Sequence, residues 1–508
     1  MSMVINTNTA SLIAQAAQAS NNKALDTAME RLSTGMRINA ASDDAAGLSI
    51  ATRMESNISG MNQAIRNAMD AQSLIDTAES SQAETMNLMQ RIRELAVQAS
   101  NDTNSQSDRL ALNAEVTQLR TEIDRIASTT TWAGQNLLDG TFVGKSFQIG
   151  SFAGETLKIN QDAMTSANLG EHSYETVGMA SAAATTATAT MASTGFTVLG
   201  KDGSAAATVT AQDTAKALAA AVNVDTADTG VKAAAHTALQ FEFAASTAPT
   251  TTTSFSLNGG GTAQTISASI TDVTDLTALV TAINSKSGTT GVTAEFNGTD
   301  KSKLILREQD GDNITIEGFS SLNGTTDLTA TITEQSNYEG TSFSGAITLT
   351  SAVTVNTGTD STIYTGVAKL TSTEAFALST TSTTGDATNS YFGDSDTSKA
   401  SSLDQVSQID ISTRAGAEAA LSVLDTAMLK VAESRGELGA VSNRLDSTVA
   451  NLTAIVTNTA ASQSRIQDAD FAAETSNLTK SQILSQAATA MLAQANASKQ
   501  GVLSLLQG

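Results

Sequence analysis

The sequence predicts an α+β chain in which both termini form a long α-helical coiled coil or bundle, with a β-rich inserted outer region of small α+β modules. Three observations predict it. Near the N-terminus Ala51, Met54, Ile58, Met61, Ile65, Ala68, Gln72 and Ile75 follow one another at alternating gaps of three and four. Near the C-terminus Leu424, Val431, Leu438, Leu445 and Leu452 recur at every seventh position. Such rhythms lay one apolar stripe along one helix face, which is unstable in water until another helix covers it. Between the ends the rhythm disappears, so the termini are expected to meet in space around an insert.

Composition narrows the function classes. Pro249 is the one proline among 508 residues, where ordinary usage is about 5%, so long helices can run unbroken. Aromatics make up 4% of the chain, and Ala, Ser and Thr are abundant. A dense, independently stable core is therefore hard to build over most of the length, and stability is expected from assembly. The absence of cysteine removes disulfides, thiolate metal ligands and a Cys nucleophile. A net charge of -23 opposes nucleic acid and anionic membrane as partners, since both demand basic patches. Residues 1–20 lack a basic region followed by an apolar run, so any export is expected without a cleaved secretory signal.

The first helix is read over residues 8–32, with Leu12, Ala16, Ala19, Leu25, Ala28 and Leu32 at its apolar or small positions, and Gly35 as its left-handed cap. Ser42, Asp43 and Asp44 supply an N-cap and two carboxylates for the positive end of a second helix, read over 43–100. After a polar turn, Leu112, Val116, Leu119, Ile123 and Ile126 resume the spacing in a third. Residues 141–160 alternate in short segments and read as one or two hairpins.

The outer region, 179–400, contains a near-repeat. DTAKALAAAVN ends at Asn223 and is followed by Thr229, Gly230 and Val231; DVTDLTALVTAIN ends at Asn284 and is followed by Thr290, Gly291 and Val292, a register of 61 residues. Strand-like stretches precede each short helix, from Phe196 and from Phe255, and another follows it, so each copy reads as a small α+β module. Residues 342–370 are alternating and β-like, and 379–402 read as a flexible loop. The helical frame returns at Ala415, with Leu421, Met428, Val449 and Val456 as the second seam position, interrupted by Arg435 and Ser442. A final helix carries Leu484, Ala488, Met491, Ala495, Ser498, Val502 and Leu505 at gaps of four and three.

Enzyme motifs fail. His172 and His236 are the only histidines and lie in different segments, so a His-based triad or multi-histidine site has no material. GTFVGKS at 140–146 is one residue short of a phosphate loop and reads as a hairpin turn. Asp310, Asp312 and Asn313 lack the glycine and closing glutamate of an EF-hand and read as a solvated turn. No catalytic residue, metal site or cofactor is expected.

RLSTGMRINAASDDAAGLSIA at 31–51, QRIRELAVQASNDTNSQSDR at 90–109 and SRIQDADFAAETSNLTKSQILSQAATAMLAQAN at 464–496 resemble the terminal signatures of bacterial flagellin. The resemblance covers roughly residues 1–175 and 402–508. It implies three parts: an inner terminal coiled coil (1–42 with 463–508), a helical stalk with a small hairpin (43–175 with 402–462), and a variable solvent-facing outer part (176–401). It implies a secreted, extracellular subunit that polymerises with itself into the swimming filament, with Leu12, Leu25, Leu32, Leu484, Met491, Val502 and Leu505 as the assembly seam. The partners it implies are the flagellar export apparatus and an export chaperone, and the cap and hook-filament junction proteins. By the same resemblance, Arg91, Leu95 and Glu115 fall where Toll-like receptor 5 grips flagellins, and Asp43, Asp44, Gly47 and Leu48 lie on the peptide sensed by plant receptors. Ser42 departs from the lysine usual in that peptide. A hook-filament junction protein or a flagellin-like adhesin with a binding insert are the alternatives.

Overall fold

The computed structural model describes residues 7–181, 194–210, 213–243, 251–298, 300–322, 329–335, 337, 343–350, 361–380, 391–392 and 398–507. Its helices, in chain order, are α1 (Thr9–Thr34), α2 (Ala45–Ser100), α3 (Gln106–Thr129), α4 (Ala215–Val224), α5 (Thr226–Thr229), α6 (Thr277–Asn284), α7 (Ser287–Thr290), α8 (Arg414–Gln467) and α9 (Phe471–Gln507). The caps follow the local chemistry. Asn8 accepts the Ser11 N–H at 3.1 Å, and Gly35, at φ 73°, closes α1. The Asp44 carboxylate receives the N–H groups of Ala46 and Gly47 at 3.0 and 2.9 Å and so opens α2. Ser105 and Asp108 form a capping box on α3.

The chain divides into two compact units, one of Met1–Thr77, Val143–Asn160 and Glu437–Gly508, the other of Ala78–Phe142 and Gln161–Gly436. The division falls inside α2 and α8. In the first unit the termini meet: α1 packs along α9. The bend after α1 is clasped to the joint between α8 and α9, where the Arg37 N–H donates to the Gln467 carbonyl at 2.6 Å and the Ala469 N–H to that of Gly35 at 2.9 Å. Met61, Ala64 and Leu452 form a small core with Ile58, Ile65 and Val456 against it. The expected hairpin pairs Lys145–Gln148 with Thr156–Ile159 and buries Leu157 and Ile159. At Gly60 an added Cβ would stand 3.2 Å from the Cβ of Ser151, so this glycine lets helix and hairpin approach.

Hydroxyls bond back along the helices. Thr448, Thr453, Thr457 and Ser462 in α8, and Thr475, Thr479 and Thr489 in α9, donate to the carbonyl four residues earlier at 2.7–2.9 Å.

In the second unit α2, α3 and α8 are joined by polar contacts: Arg93 to Asp425 at 2.6 Å, Gln82 to Ser434 at 3.1 Å and Arg91 to Glu115 at 2.8 Å. The buried seam of α8 here alternates Ala420, Leu424, Ala427, Val431 and Ser434. The second seam position is thus held by small residues one place before Leu421 and Met428, which are only half-buried. Small side chains allow the backbones to approach closely, and the larger Leu and Met are displaced to the flank.

The outer region is built of antiparallel sheets around two aromatic cores. The first module comprises Thr194–Leu199, Ser204–Val209, α4, α5 and Lys232–Phe243; the second comprises Thr251–Gly259, Gln264–Ile270, α6, α7 and Thr293–Asn297. The repeat is structural as well as sequential. Asn223 brackets Ala233 with two hydrogen bonds of 2.7 and 2.8 Å, and Asn284 brackets Ala294 with two of 2.9 and 2.8 Å. Gly230 and Gly291 both take the left-handed conformation, at φ 70° and 80°. Phe196, Leu218, Val222, Val231 and Phe392 share one core; Phe241, Phe255, Leu279, Ile283, Val292 and Phe319 share the other. The few aromatics are thus concentrated where a dense core was not expected. The described residues of 379–402 also differ from the flexible loop predicted. Tyr391 and Phe392 are buried in the first core, and Ala377–Thr380 and Ser398–Ala400 pair as strands. Residues 381–390 and 393–397 of that stretch lie outside the described residues.

Candidate self-assembly and recognition surfaces

The seam candidates separate into two groups. Leu25 and Leu32 are half-buried on the α1 face that meets α9, whereas Leu12 stands exposed. On α9 the least exposed positions through Ser498 are Glu474, Leu478, Ser481, Ser485, Ala488, Leu492 and Ala495. This face is bound to α1 by Gln18 to Ser485 at 2.9 Å, Asn8 to the Ala495 carbonyl at 3.4 Å and Arg31 to Glu474 at 3.9 Å. It follows the same four-three spacing as the predicted stripe and shares Ala488 and Ala495 with it, but three of its seven positions, Glu474, Ser481 and Ser485, are polar, so hydrophobicity alone does not mark it out. Leu484 and Met491 fall outside it, 42% and 65% exposed, alongside exposed Ile483 and Phe471. Val502 and Leu505 lie on α9, and their side chains are outside the described residues.

The bend at 36–48 is tightly organised. The Asp43 carboxylate receives the N–H groups of Ala40 and Asn39, both at 3.0 Å, and these two donors hold its pKa below the usual carboxylate value. Gly47 is buried; a Cβ there would lie 2.4 Å from an Asp44 carboxylate oxygen and 2.7 Å from the Ile38 side chain. Leu48 is half-buried and donates its N–H to the Asp44 carbonyl at 3.0 Å. Asp43 and Asp44 are exposed, as helix-start carboxylates should be.

Arg91 and Glu115 form one exposed ion pair joining α2 to α3. Leu95, four residues from Arg91, is 1% exposed. It belongs to the packed interior and offers no side chain at the surface beside Arg91, because its helix turns that position toward the bundle.

Enzyme-like patterns resolve into structural roles. The turn at 140–146 has Gly140 and Gly144 at φ 88° and 67° and leads into the strand Lys145–Gln148, where a phosphate loop would open a helix. Glu308, Asp310 and Asp312 cluster closely enough to share a cation. Lys216 already reaches Asp310 at 3.3 Å and Asp312 at 2.7 Å, and Glu308 receives the N–H groups of Asp310 and Asp312. The cluster serves as a clasp between α4 and the turn after Asp300–Glu308. His172 and His236 sit in separate strands, each with its pKa lowered by burial.

Comparison with known proteins agrees with this architecture. Residues 5–143 match the bacterial flagellin N-terminal helical region, 421–506 the C-terminal helical region, and 254–310, the second module, the flagellin hook IN motif. The B-type flagellin of Pseudomonas aeruginosa is 38% identical over 511 residues, spanning 100% of both chains. Polar flagellin F of Vibrio parahaemolyticus is 32% identical over 509 residues, and a flagellin of Salmonella choleraesuis 33% over 551, again spanning 100% of each chain. Among solved structures, FliC from Burkholderia pseudomallei aligns with 74% of this chain and 99% of its own at 21% identity and a TM-score of 0.29. With terminal helices that pair, a β-rich insert between them and full-length likeness to several flagellins, the chain belongs to the bacterial flagellin family.

Proposed function

We propose that this chain, a structural subunit of the bacterial flagellar filament by family, works by polymerisation alone and catalyses nothing. The observation that carries the reading is the row of uncovered apolar side chains on the terminal helices: Leu12, Ile13 and Met29 on α1, and Phe471, Ile483, Leu484 and Met491 on α9. Apolar surface of this extent on paired helices is stable only when further helices cover it, and copies of the same helices are the simplest cover. In this reading residues 1–42 with 463–508 form the inner layer, 43–175 with 402–462 the stalk, and 176–401 the outer face. Among the described residues no helix is long and apolar enough to cross a membrane. That accords with a subunit delivered outside the cell by the flagellar export apparatus with an export chaperone, and placed between hook-filament junction proteins and a cap.

Recognition by Toll-like receptor 5 is part of the same proposal, carried by the exposed Arg91–Glu115 pair, with Leu95 acting from beneath by holding the helix in place. Plant-receptor recognition would use the surface of Asp43 and Asp44, while Gly47 and Leu48 keep the bend in shape.

Deleting residues 484–508 tests assembly. Each buried Leu or Met lost from the polymer costs roughly 2 to 5 kcal/mol, repeated at every subunit. The truncated chain is expected to stay monomeric by light scattering and to show no filaments by negative-stain microscopy after heating and repolymerisation. Normal filaments from it would remove the terminal helices from the mechanism.

A further inference from the structure

Assembly into an open filament requires two different, complementary patches on one chain, since a self-complementary patch closes into a dimer. The chain is acidic throughout, so two copies repel unless a basic spot meets an acidic one. Two features outside the terminal helices meet these requirements. One is concave. A cavity of about 610 Å³ opens in the second unit between the strands Gly170–Glu175 and Ser402–Gln405 and the start of α8. Ile409, Ala420 and Val423 give it an apolar floor, and Asp404 and Asp410 line its acidic side. The Lys369 ammonium within it is held by the buried Glu171 carboxylate at 2.9 Å and reaches Asp404 at 3.8 Å, so Asp410 is the carboxylate it does not reach.

The other is convex. The hairpin of the first unit carries Lys145 and Lys158 against the single acid Glu155, a formal charge of +1 in a chain of -23. Glu155 is occupied in the turn, where its carboxylate receives the Phe152 N–H at 3.0 Å. Phe152 stands 62% exposed at the tip and Val143 64% at the base. The turn holds them there, because Gln148 ties the carbonyls of Gly150 and Phe152 at 2.9 and 2.6 Å.

We infer that the hairpin of one copy docks into this cavity on the next, Phe152 covering the floor of Ile409, Ala420 and Val423 while Lys158 faces Asp410. The occupant is a second copy of this chain, and the inference rests on the filament reading. The hairpin supplies an aromatic ring small enough for the space and a cation for Asp410. The contact is head-to-tail, so its repetition lengthens a polymer.

The absence of cysteine makes the test direct. Ala153→Cys combined with Gln408→Cys, in the full-length chain, puts one thiol on the hairpin beside the intact Phe152 and one at the cavity. Oxidation after polymerisation is expected to give a ladder of covalent oligomers on non-reducing gels, absent when monomer is oxidised at the same concentration. Separately, Lys158→Glu is expected to raise the critical concentration for polymerisation about tenfold, and adding Asp410→Lys to restore it. Filaments that form normally but yield no ladder, or a charge swap that fails to rescue, would overturn the docking and leave the filament reading intact. Failure of the unaltered chain to form filaments would instead strike the filament reading itself.

Discussion

His236 lies in the strand Lys232–Phe243, with its Nε2 3.0 Å from Gln335 Nε2. Burial first, and the Arg307 charge second, lowers its pKa from 6.5 to about 4. The folded chain therefore keeps this ring neutral in a range where the unfolded chain takes up a proton. Its contribution to stability is complete above pH 6.5 and is lost progressively as the pH falls toward 4, up to an amount on the order of 3 kcal/mol. His172 shifts in the same direction, through burial and then the charge of Lys430. The melting temperature of the outer region is expected to fall across this window, and His236→Gln to flatten the fall; a wild-type melting temperature constant from pH 6.5 to 4 would refute this. Arg91 and Leu95 separate in a different way. Arg91→Ala is expected to cut Toll-like receptor 5 signalling by purified monomer about tenfold, equivalent to about 1.4 kcal/mol, with unchanged melting. Leu95→Ala is expected to lower the melting temperature, since it opens a cavity costing about 2 to 5 kcal/mol. Wild-type signalling by the Arg91 variant would refute the receptor assignment. The sequence alone shows Arg91 and Leu95 on adjacent turns; which of them the bundle covers depends on helices far away in the chain.

The modules of the outer region show how element and sequence can agree without a family signature. The 61-residue register was legible because the same side chains must do the same work twice: an Asn to bracket the returning strand, a Gly to leave the helix in the left-handed conformation, a Val to enter the core. Removing either Asn leaves a backbone N–H and a carbonyl without their bridge, a loss of about 1 to 3 kcal/mol. Asn223→Ala and Asn284→Ala are each expected to speed hydrogen exchange at Ala233 and Ala294 respectively and not at the other; uniform exchange in both variants would show that the brackets do not define separate modules. The long helices were legible for a similar reason, since a three-four rhythm has one geometric solution. Their exact faces were not. Ala420, Ala427 and Ser434 carry little hydrophobicity yet lie in the seam, because closeness of approach there is set by size. Glu474, Ser481 and Ser485 of the α1–α9 interface escaped for the same reason, and Tyr391 and Phe392 escaped because a burial partner distant in sequence leaves no local period.

At the scale of the whole molecule, the insert is expected to be dispensable for assembly. One detail of the structure decides how to test this. Lys369 belongs to the outer region but neutralises the buried Glu171, which also receives the hydroxyls of Ser422 and Thr426 from α8 at 2.5 and 3.2 Å. Replacing residues 179–400 by a short Gly/Ser linker strands that carboxylate without its cation, so the replacement should be paired with Glu171→Gln. The paired variant is expected to give thinner, less stable filaments by electron microscopy. If it stays monomeric while circular dichroism shows its helices intact, contacts through the insert are required. The Ser and Thr hydroxyls bonded back along α8 and α9 bear on a different stage of the subunit's life. Each shares a carbonyl that the helix already uses, which loosens the regular ladder and lowers the helix's intrinsic preference. With a single proline and no disulfide, nothing covalent or slow stands between an extended thread and these helices. A chain built in this way can be drawn out straight at small cost and can wind up again on the order of a microsecond once a neighbouring copy offers it a surface, so waiting for that neighbour, and not folding, would set the pace of growth.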